Sequence, residues 1–149
     1  MSNILLDSQV SMNSSATGSI AVPLTTTPTV FATLGLDATT AGPNLEVQFT
    51  FTATVSMLVS LLITPVVITV ERVVGGVPTP IYSVTQDIPI VTALSNFVIT
   101  ANGVDYLPPA DFLVYQASIS VPTGLGIVIF PTRVGPESMI AAAYSDLPV

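Results

Sequence analysis

The stretch LEVQFTFTATVSM, residues 45–57, places apolar side chains at alternate positions and Glu, Gln, Thr or Ser between them. Side chains along a β-strand point alternately to opposite faces, so a period of two gives one buried face and one solvent-exposed face. A helix would spread the same residues around its circumference. The stretch therefore predicts a long, half-buried antiparallel strand, and the rest of the chain can be placed around it.

Similar short runs, separated by turn residues, recur through the 149 residues, and the 13 prolines interrupt any long helix. Gly75 and Gly76 predict a hairpin turn, and residues 105–111 (DYLPPAD) predict a loop. The other predicted strands are residues 4–12, 20–24, 30–37, 66–70, 81–86, 97–101, 112–121, 127–130 and 139–144.

This pattern predicts an all-β fold, an antiparallel β-sandwich of jelly-roll type with about eight to ten strands. Residues 1–19 are expected to form an N-terminal strand or connector followed by a linker, and residues 20–149 the sandwich domain.

Charged residues are scarce and almost all of them are negative. They make up 7% of the chain, against roughly 25% in an ordinary soluble domain. Arg72 and Arg133 are the only basic residues beside nine carboxylates, which gives a formal net charge of -7. Such a surface cannot neutralise phosphates, so nucleic acid is excluded as a partner. The chain has no cysteine, which excludes disulfides and thiolate catalysis, and no cofactor is expected.

Catalytic and metal-binding residues form no recognisable pattern. Serine and threonine are abundant, but without histidine or lysine nothing activates them as nucleophiles, so we do not expect an enzyme. Asp87, Asp105 and Asp111 are the candidate calcium ligands. Their spacing matches no calcium-binding loop, and we interpret them as turn residues or solvent-facing residues, with no metal expected.

Two further features lie in the loops around residues 127–130. The segment Gly124-Leu125-Gly126 precedes a predicted strand and not a helix, which favours a hairpin turn over a phosphate-binding loop. Arg133 and Glu137 can form a loop ion pair, worth up to about 1 kcal/mol if it is exposed.

Residues 48–70 carry no charge and are long enough to cross a bilayer. Alternating Thr and Ser, a proline, and the lack of flanking basic residues favour instead two strands joined by a turn near Thr64 and Pro65. The N-terminal segment MSNILLDSQV lacks the basic region and long apolar run of a secretory signal peptide. Synthesis without a Sec signal is therefore expected.

Some predicted strands are apolar on both faces, above all residues 57–63 and 112–115. Apolar faces of this kind mark protein interfaces, so we expect neighbouring copies of the chain to cover them. Residues 4–12 leave two alternatives open, pairing within their own sandwich or addition to the sheet edge of a neighbouring copy. The candidate subunit-interface residues are Ile4, Leu5, Leu6, Val10, Leu58, Leu62, Phe112 and Val114.

Three segments resemble the small β-sandwich proteins that spore-forming Firmicutes carry on the spore surface: ITVERVVGGVPTPIYSV (residues 68–84), YQASISV (115–121) and VGPESMIAAAYSD (134–146). These proteins include exosporium proteins with a C1q/TNF-like jelly roll and the subunits of endospore appendage fibres. The resemblance implies a structural subunit at a spore or cell surface that associates with copies of itself, as trimers or filaments, and with other spore-surface proteins.

One departure from the appendage subunits matters. Those subunits cross-link through cysteines in their N-terminal connectors, which this chain lacks, so a fibre would have to hold by strand pairing and apolar burial. The alternative function is a trimeric jelly-roll binding module that recognises carbohydrate or a host surface. For that module the candidate contacts are Tyr82, Tyr106 and Tyr115.

Overall fold

The computed structural model describes residues 3–148. These residues form ten β-strands joined by loops and turns, and they contain no helix. No helix among these residues is long and apolar enough to cross a membrane. The strands are β1 (Asn3–Ser14), β2 (Val22–Pro23), β3 (Thr29–Asp37), β4 (Glu46–Met57), β5 (Thr64–Val74), β6 (Val77–Ile88), β7 (Ser95–Tyr106), β8 (Phe112–Ser120), β9 (Thr132–Arg133) and β10 (Glu137–Asp146).

The eight long strands form two antiparallel sheets that pack face to face. The first sheet has the order β1-β10-β4-β7, and the short strands β9 and β2 continue it beside the second half of β4. The second sheet has the order β3-β8-β5-β6. Numbered among the long strands alone, these orders are 1-8-3-6 and 2-7-4-5, the arrangement of a jelly roll. The predicted all-β sandwich is confirmed.

Strand β4 lies at the centre of the first sheet, between β10 and β7. Its alternate residues point inward as predicted, and Val47, Phe49, Phe51, Ala53 and Val55 are at most 2% exposed. The opposite half of the core comes mainly from β8 and β5 of the second sheet. The alternation in residues 45–57 thus builds one wall of the core.

The hairpin between β5 and β6 turns at Gly75 and Gly76, whose φ angles are 60° and 79°. Two successive residues with positive φ form the turn that matches the twist of a hairpin, and glycine adopts this conformation without steric cost. The predicted hairpin is therefore confirmed, and β3, β8 and β10 also lie where the sequence predicts them.

Two apolar segments that were predicted as strands are loops. Residues 58–63 leave the sheet after β4, so the turn lies there and not at Thr64 and Pro65, which begin β5. Residues 127–130 are irregular as well. An apolar run forms a strand only where a neighbouring strand is free to bond its backbone, and both segments run across one end of the sandwich.

The predicted strand at residues 97–101 continues through Asn102 and Gly103 as part of β7. A Cβ atom on Gly103 would lie 2.6 Å from the Phe49 ring and 2.9 Å from the Tyr82 ring. Glycine at this position lets both rings approach the strand, and they pack edge to face with centroids 5.5 Å apart. This glycine therefore serves close packing and not a turn.

Strand β1 pairs with β10 of its own chain. Of the two alternatives for the N-terminal strand, the structure therefore shows pairing within its own sandwich. Leu6 packs against the core. Two polar side chains of β1 also bond the edge of the second sheet. Asp7 Oδ2 accepts a hydrogen bond from the Asp37 N–H at 2.9 Å, and Ser11 Oγ accepts one from the Thr33 N–H at 3.2 Å. Strand β1 thus closes one side of the sandwich.

Candidate interaction surface

The two ends of the sandwich are built from different loops. Because the long strands are antiparallel and run from end to end, each connection lies at one end or the other. Residues 58–63, 89–94 and 121–131 form three loops at one end, which we call the apolar end, and the uncharged connection 15–28 lies beside the third of them. Residues 38–45, residues 107–111 and the β5–β6 turn form the opposite end, which we call the acidic end.

The apolar end exposes aliphatic side chains and no charge. None of its three loops contains Asp, Glu, Arg or Lys. Nine Leu, Ile and Val side chains in these loops are between 41% and 77% exposed: Leu58, Val59, Leu61, Leu62, Ile63, Ile90, Leu94, Leu125 and Val128. Single exposed apolar residues are ordinary on protein surfaces, but a contiguous set marks an interaction site.

Hydrogen bonds and a shared cavity join the three loops into one surface. The Ser60 N–H donates to the Val91 carbonyl oxygen at 3.0 Å, and the Val91 N–H donates to Ser60 Oγ at 2.9 Å. These bonds tie the first loop to the second. A cavity of about 270 Å³ lies between the first and third loops. Its apolar lining is Leu61, Leu62, Ile127, Val128 and Ile129.

Two glycines shape the third loop of the apolar end. Gly124 and Gly126 have φ angles of 78° and 67°, which glycine tolerates best. The turn predicted at this point is present, but it is not a hairpin, because β8 belongs to the second sheet and β9 to the first.

A buried ion pair stands behind the apolar end. Arg133 on β9 donates to Glu137 on β10, from Nε to Oε2 at 2.6 Å and from Nη2 to Oε1 at 2.7 Å. Asn13 on β1 donates from Nδ2 to the same Oε1 at 2.8 Å. The two charged side chains are 7% and 0% exposed, so this is a buried bidentate pair and not an exposed loop pair. It fixes the ends of β1, β9 and β10 to one another.

A second ion pair lies nearer the acidic end and joins the two sheets. Arg72 on β5 donates from Nη1 to both carboxylate oxygens of Asp105 on β7, at 2.9 and 2.7 Å. Tyr115 on β8 donates its hydroxyl to Asp105 Oδ2 at 2.7 Å. Burial, together with the adjacent Asp105 carboxylate, raises the pKa of Tyr115, so the phenol stays protonated and remains a donor.

The three aspartates that were considered as metal ligands do not converge. Asp105 is buried and not a turn or solvent-facing residue, because Arg72 on the facing sheet supplies its counter-charge. Asp87 lies near the apolar end of β6, whereas Asp111 precedes β8 at the acidic end. Among residues 3–148, no group of three Asp, Glu, His or Cys side chains is placed to hold a metal ion.

The two ion pairs use both arginines of the chain. Of its nine carboxylates, Asp105 and Glu137 are paired, which leaves seven without an arginine partner. Five of the seven lie at or near the acidic end: Asp7, Asp37, Glu46, Asp111 and Asp146. The unpaired side-chain charge of residues 3–148 is therefore entirely negative, and most of it sits at one end.

Neutral donors hold these carboxylates in place. Thr39 donates to Asp37 Oδ1 from Oγ1 at 2.6 Å and from its backbone N–H at 3.1 Å, and these bonds lower the pKa of Asp37. Asn44 Nδ2 donates to Asp146 Oδ2 at 2.7 Å. The acidic end also exposes apolar side chains, but they lie among these charges. At the apolar end no such charges are present.

The predicted interface residues lie on several surfaces and not on one. Leu58 and Leu62 belong to the apolar end, where they are 65% and 49% exposed. Phe112 and Val114 lie on the outer face of the second sheet, where the Phe112 ring covers Gly35. These two pairs are therefore separated by most of the length of the sandwich.

The four predicted interface residues on β1 divide between its two sides. Leu5 and Val10 are 56% and 59% exposed. Ile4 and Leu6 are only partly exposed, and Leu6 packs against the core. An interface on β1 would therefore use the side that carries Leu5 and Val10.

Sequence reasoning missed most of the second and third loops of the apolar end. Ile90, Leu94 and Leu125 are all at least 49% exposed and lie in no predicted strand, and Val128, 77% exposed, was assigned to the predicted strand 127–130. The signal that identifies them is the absence of charge from three separate loops, and it becomes visible only when the jelly-roll order places those loops at one end.

Within residues 3–148 the two edges of the first sheet are also open to a partner, since β1 pairs only with β10 and β7 only with β4. The edge of β3 is bonded by side chains of β1, and β6 carries Pro78 and Pro80, which cannot donate to a ladder. Strand β7 is 12 residues long and pairs with β4 on one side. Within residues 3–148 no strand pairs with its other side, so β7 presents a free edge.

No protein-family model and no curated protein matches this chain. Among solved structures, a chain in the structure of infectious bursal disease virus Gx strain is similar, with 12% sequence identity and a TM-score of 0.49. The similarity covers 93% of this chain and 32% of the viral chain, so this protein spans about a third of that chain's length. The fold assignment rests on the strand order described above.

Proposed function

We propose that this protein is a structural subunit that associates with copies of itself to build a fibre or layer at a cell or spore surface, and that it has no catalytic role. The observation that carries the proposal is the apolar end, which exposes nine aliphatic side chains and no charge. The location at a spore surface rests on the sequence resemblance alone.

The size of the apolar end supports association. Complete burial of one Leu, Ile or Val side chain stabilises by about 1.5–3 kcal/mol, so nine that are roughly half exposed offer on the order of 10 kcal/mol. Association costs about 4–15 kcal/mol in lost translational and rotational freedom. The two figures are comparable, so a partner must cover most of the apolar end at once.

The placement of the arginines suits a durable assembly at a surface. Trypsin cleaves after lysine and arginine, and this chain offers only Arg72 and Arg133. Both lie in β-strands and in ion pairs whose side chains are at most 20% exposed. We therefore expect the folded protein to resist trypsin, which fits a subunit that remains outside a cell.

The alternative function, a binding module with an aromatic cleft, has less support. Tyr115 is fully buried, and Tyr82 packs against the core rings Phe49 and Phe51. Tyr106 is 72% exposed at the acidic end. The three candidate tyrosines thus form no shared cleft, and no observation favours carbohydrate over another ligand.

Sedimentation velocity of the purified protein over a range of concentrations, followed by negative-stain microscopy, tests the proposal. We expect species larger than the monomer, with a share that grows as the protein concentration rises. A protein that stays monomeric at its highest soluble concentration would contradict the proposed function.

A further inference from the structure

We infer that the apolar end binds the apolar end of a second copy, so that two sandwiches meet end to end about a two-fold axis with their acidic ends outward. This inference rests on the proposed function and specifies its first contact. In such an isologous contact the same surface is used on both subunits, which is the commonest arrangement of soluble homo-oligomers.

The distribution of charge identifies the partner. Because the unpaired side-chain charge of residues 3–148 is entirely negative, two copies repel wherever carboxylates face each other. A head-to-tail contact would press the apolar end of one copy against Asp37, Glu46 and Asp111 of the next, and would remove these carboxylates from water without a cation to pair them. Of the two ends of a second copy, the apolar end is the one that lacks this penalty.

The shape of the apolar end also fits a self-complementary contact. The cavity of about 270 Å³ between the first and third loops is bordered by Leu61 and Val128, which are 72% and 77% exposed. In a two-fold arrangement a protruding side chain of each copy enters the cavity of the other, so each contact is made twice. The hydroxyl of Ser60 is already bonded to the Val91 N–H, so filling the cavity leaves this group satisfied.

An isologous pair is closed, so growth into a fibre or layer needs another surface. The free edges of the first sheet, on β1 and β7, are the candidates, because the edge of β3 is bonded by side chains of β1 and β6 carries prolines. The pair would then be the unit that grows. This order of events predicts a dimer at concentrations below those at which larger species form.

Single cysteines test the inference cleanly, because the chain has none of its own. Leu61→Cys labels the apolar end and Leu107→Cys labels the acidic end, and both leucines are 72% exposed. Each variant, and an equal mixture of the two, is treated with a short bis-maleimide cross-linker and resolved by denaturing electrophoresis. We expect at least about tenfold more covalent dimer from Leu61→Cys alone than from Leu107→Cys alone. Val128→Cys should behave like Leu61→Cys.

The other outcomes separate the inference from the proposed function. If only the mixture forms dimers, the contact is head to tail, which overturns the two-fold contact but keeps self-association. If sedimentation shows oligomers and neither variant cross-links, another surface joins the copies, with the same consequence. If the protein is monomeric and floats with neutral phosphatidylcholine vesicles, a lipid surface covers the apolar end, and both proposals fail.

Discussion

The apolar and acidic ends of this sandwich differ in charge although the same eight long strands connect them. Five unpaired carboxylates gather at or near one end, whereas the three loops of the other end contain no charged residue and Asp87 on β6 is the unpaired carboxylate nearest to them. Each end also has one buried ion pair close to it, Arg133 with Glu137 and Arg72 with Asp105. Both arginines of the chain are therefore held in these ion pairs, and neither neutralises the other carboxylates.

This difference teaches that a low charge content need not mean a uniform surface. A net charge of -7 spread evenly over the sandwich would oppose contact between copies in every direction. Concentrated at one end, the same charge leaves the other end free to be covered. In the proposed dimer, this distribution would direct association to the apolar end.

Removing Arg133 is expected to have the largest effect. In Arg133→Met, Glu137 keeps its charge at 0% exposure with Asn13 as its remaining side-chain donor. Breaking a buried pair by removing one partner costs about 3–5 kcal/mol, and we expect this loss in the free energy of unfolding by urea. The double variant R133M/E137M, which removes both charges, should recover most of it.

The equivalent change at the other ion pair sharpens the comparison. In Arg72→Met, Asp105 keeps the hydrogen bond from Tyr115 and is 7% exposed, so it retains some access to water. We expect a smaller loss than in Arg133→Met. Equal losses in the free energy of unfolding would show that the two ion pairs contribute equally to stability, although Glu137 is less exposed than Asp105.

A carboxylate placed on the apolar end is expected to weaken association. Leu62→Asp would put a charge where two copies meet, and we expect the dissociation constant to rise about 10–100-fold, equal to about 1.4–2.8 kcal/mol. Val77→Asp, beside the β5–β6 turn of the acidic end, is the matched control, because Val77 is also exposed, at 64% against 49% for Leu62. Sedimentation equilibrium measures both. A similar loss in the control would place the contact at the acidic end.

The core was predictable from the sequence because local alternation and burial agree there. The inward residues of β4 and β8 stand at every second position, and those from Val47 to Val55 and from Leu113 to Ile119 are at most 2% exposed. The hairpin at Gly75 and Gly76 was predictable because glycine adopts the positive φ angles of that turn without steric cost. These features depend on neighbours in sequence.

The surface was less predictable because it depends on partners distant in sequence. Asp105 was assigned to a loop, because no residue close to it in sequence indicates that Arg72, 33 residues away, faces it from the other sheet. A signal was present: Arg72 continues the inward positions of Ile68 and Val70 on β5. Residues 58–63 were assigned to a strand because consecutive apolar residues predict burial, and only the fold shows that they cross an end.

Removing the Tyr115 hydroxyl is expected to have a moderate effect on the free energy of unfolding. Tyr115→Phe deletes a hydrogen bond to the Asp105 carboxylate but leaves Arg72 in place, so we expect a loss of about 1–2 kcal/mol in the free energy of unfolding. Tyr106→Phe, at an exposed tyrosine, should change it by at most about 0.5 kcal/mol.

The same variant tests the raised pKa of Tyr115. A raised pKa means that the folded protein holds the phenol proton more tightly than the unfolded chain does. The resulting stability is present below the ordinary tyrosine pKa of about 10 and is lost as the pH rises above it. Urea unfolding between neutral and strongly alkaline pH should show this decline in the wild type and a shallower one in Tyr115→Phe. Identical declines would contradict the raised pKa of Tyr115.

Removing the Asp87 charge is expected to have the smallest effect. Asp87 is exposed on β6, two residues before the second loop of the apolar end, so two copies that meet there bring their Asp87 carboxylates near each other. Like charges at an exposed contact repel by about 0.2–1 kcal/mol. Asp87→Asn should therefore lower the dissociation constant by a factor of about 1.5–5 at low salt. The gain should shrink at about 0.15 M salt, where the screening length falls to about 8 Å.

Asp111→Asn is the matched control for this change. Asp111 lies at the acidic end, about one strand length or roughly 30 Å from the proposed contact, so its removal should leave the dissociation constant unchanged. A head-to-tail contact predicts that Asp111→Asn also lowers the dissociation constant, because Asp111 would then face the neighbouring copy. Sedimentation equilibrium of both variants at low and moderate salt thus decides between the two arrangements without a cross-linker, because only the head-to-tail contact brings Asp111 to the interface.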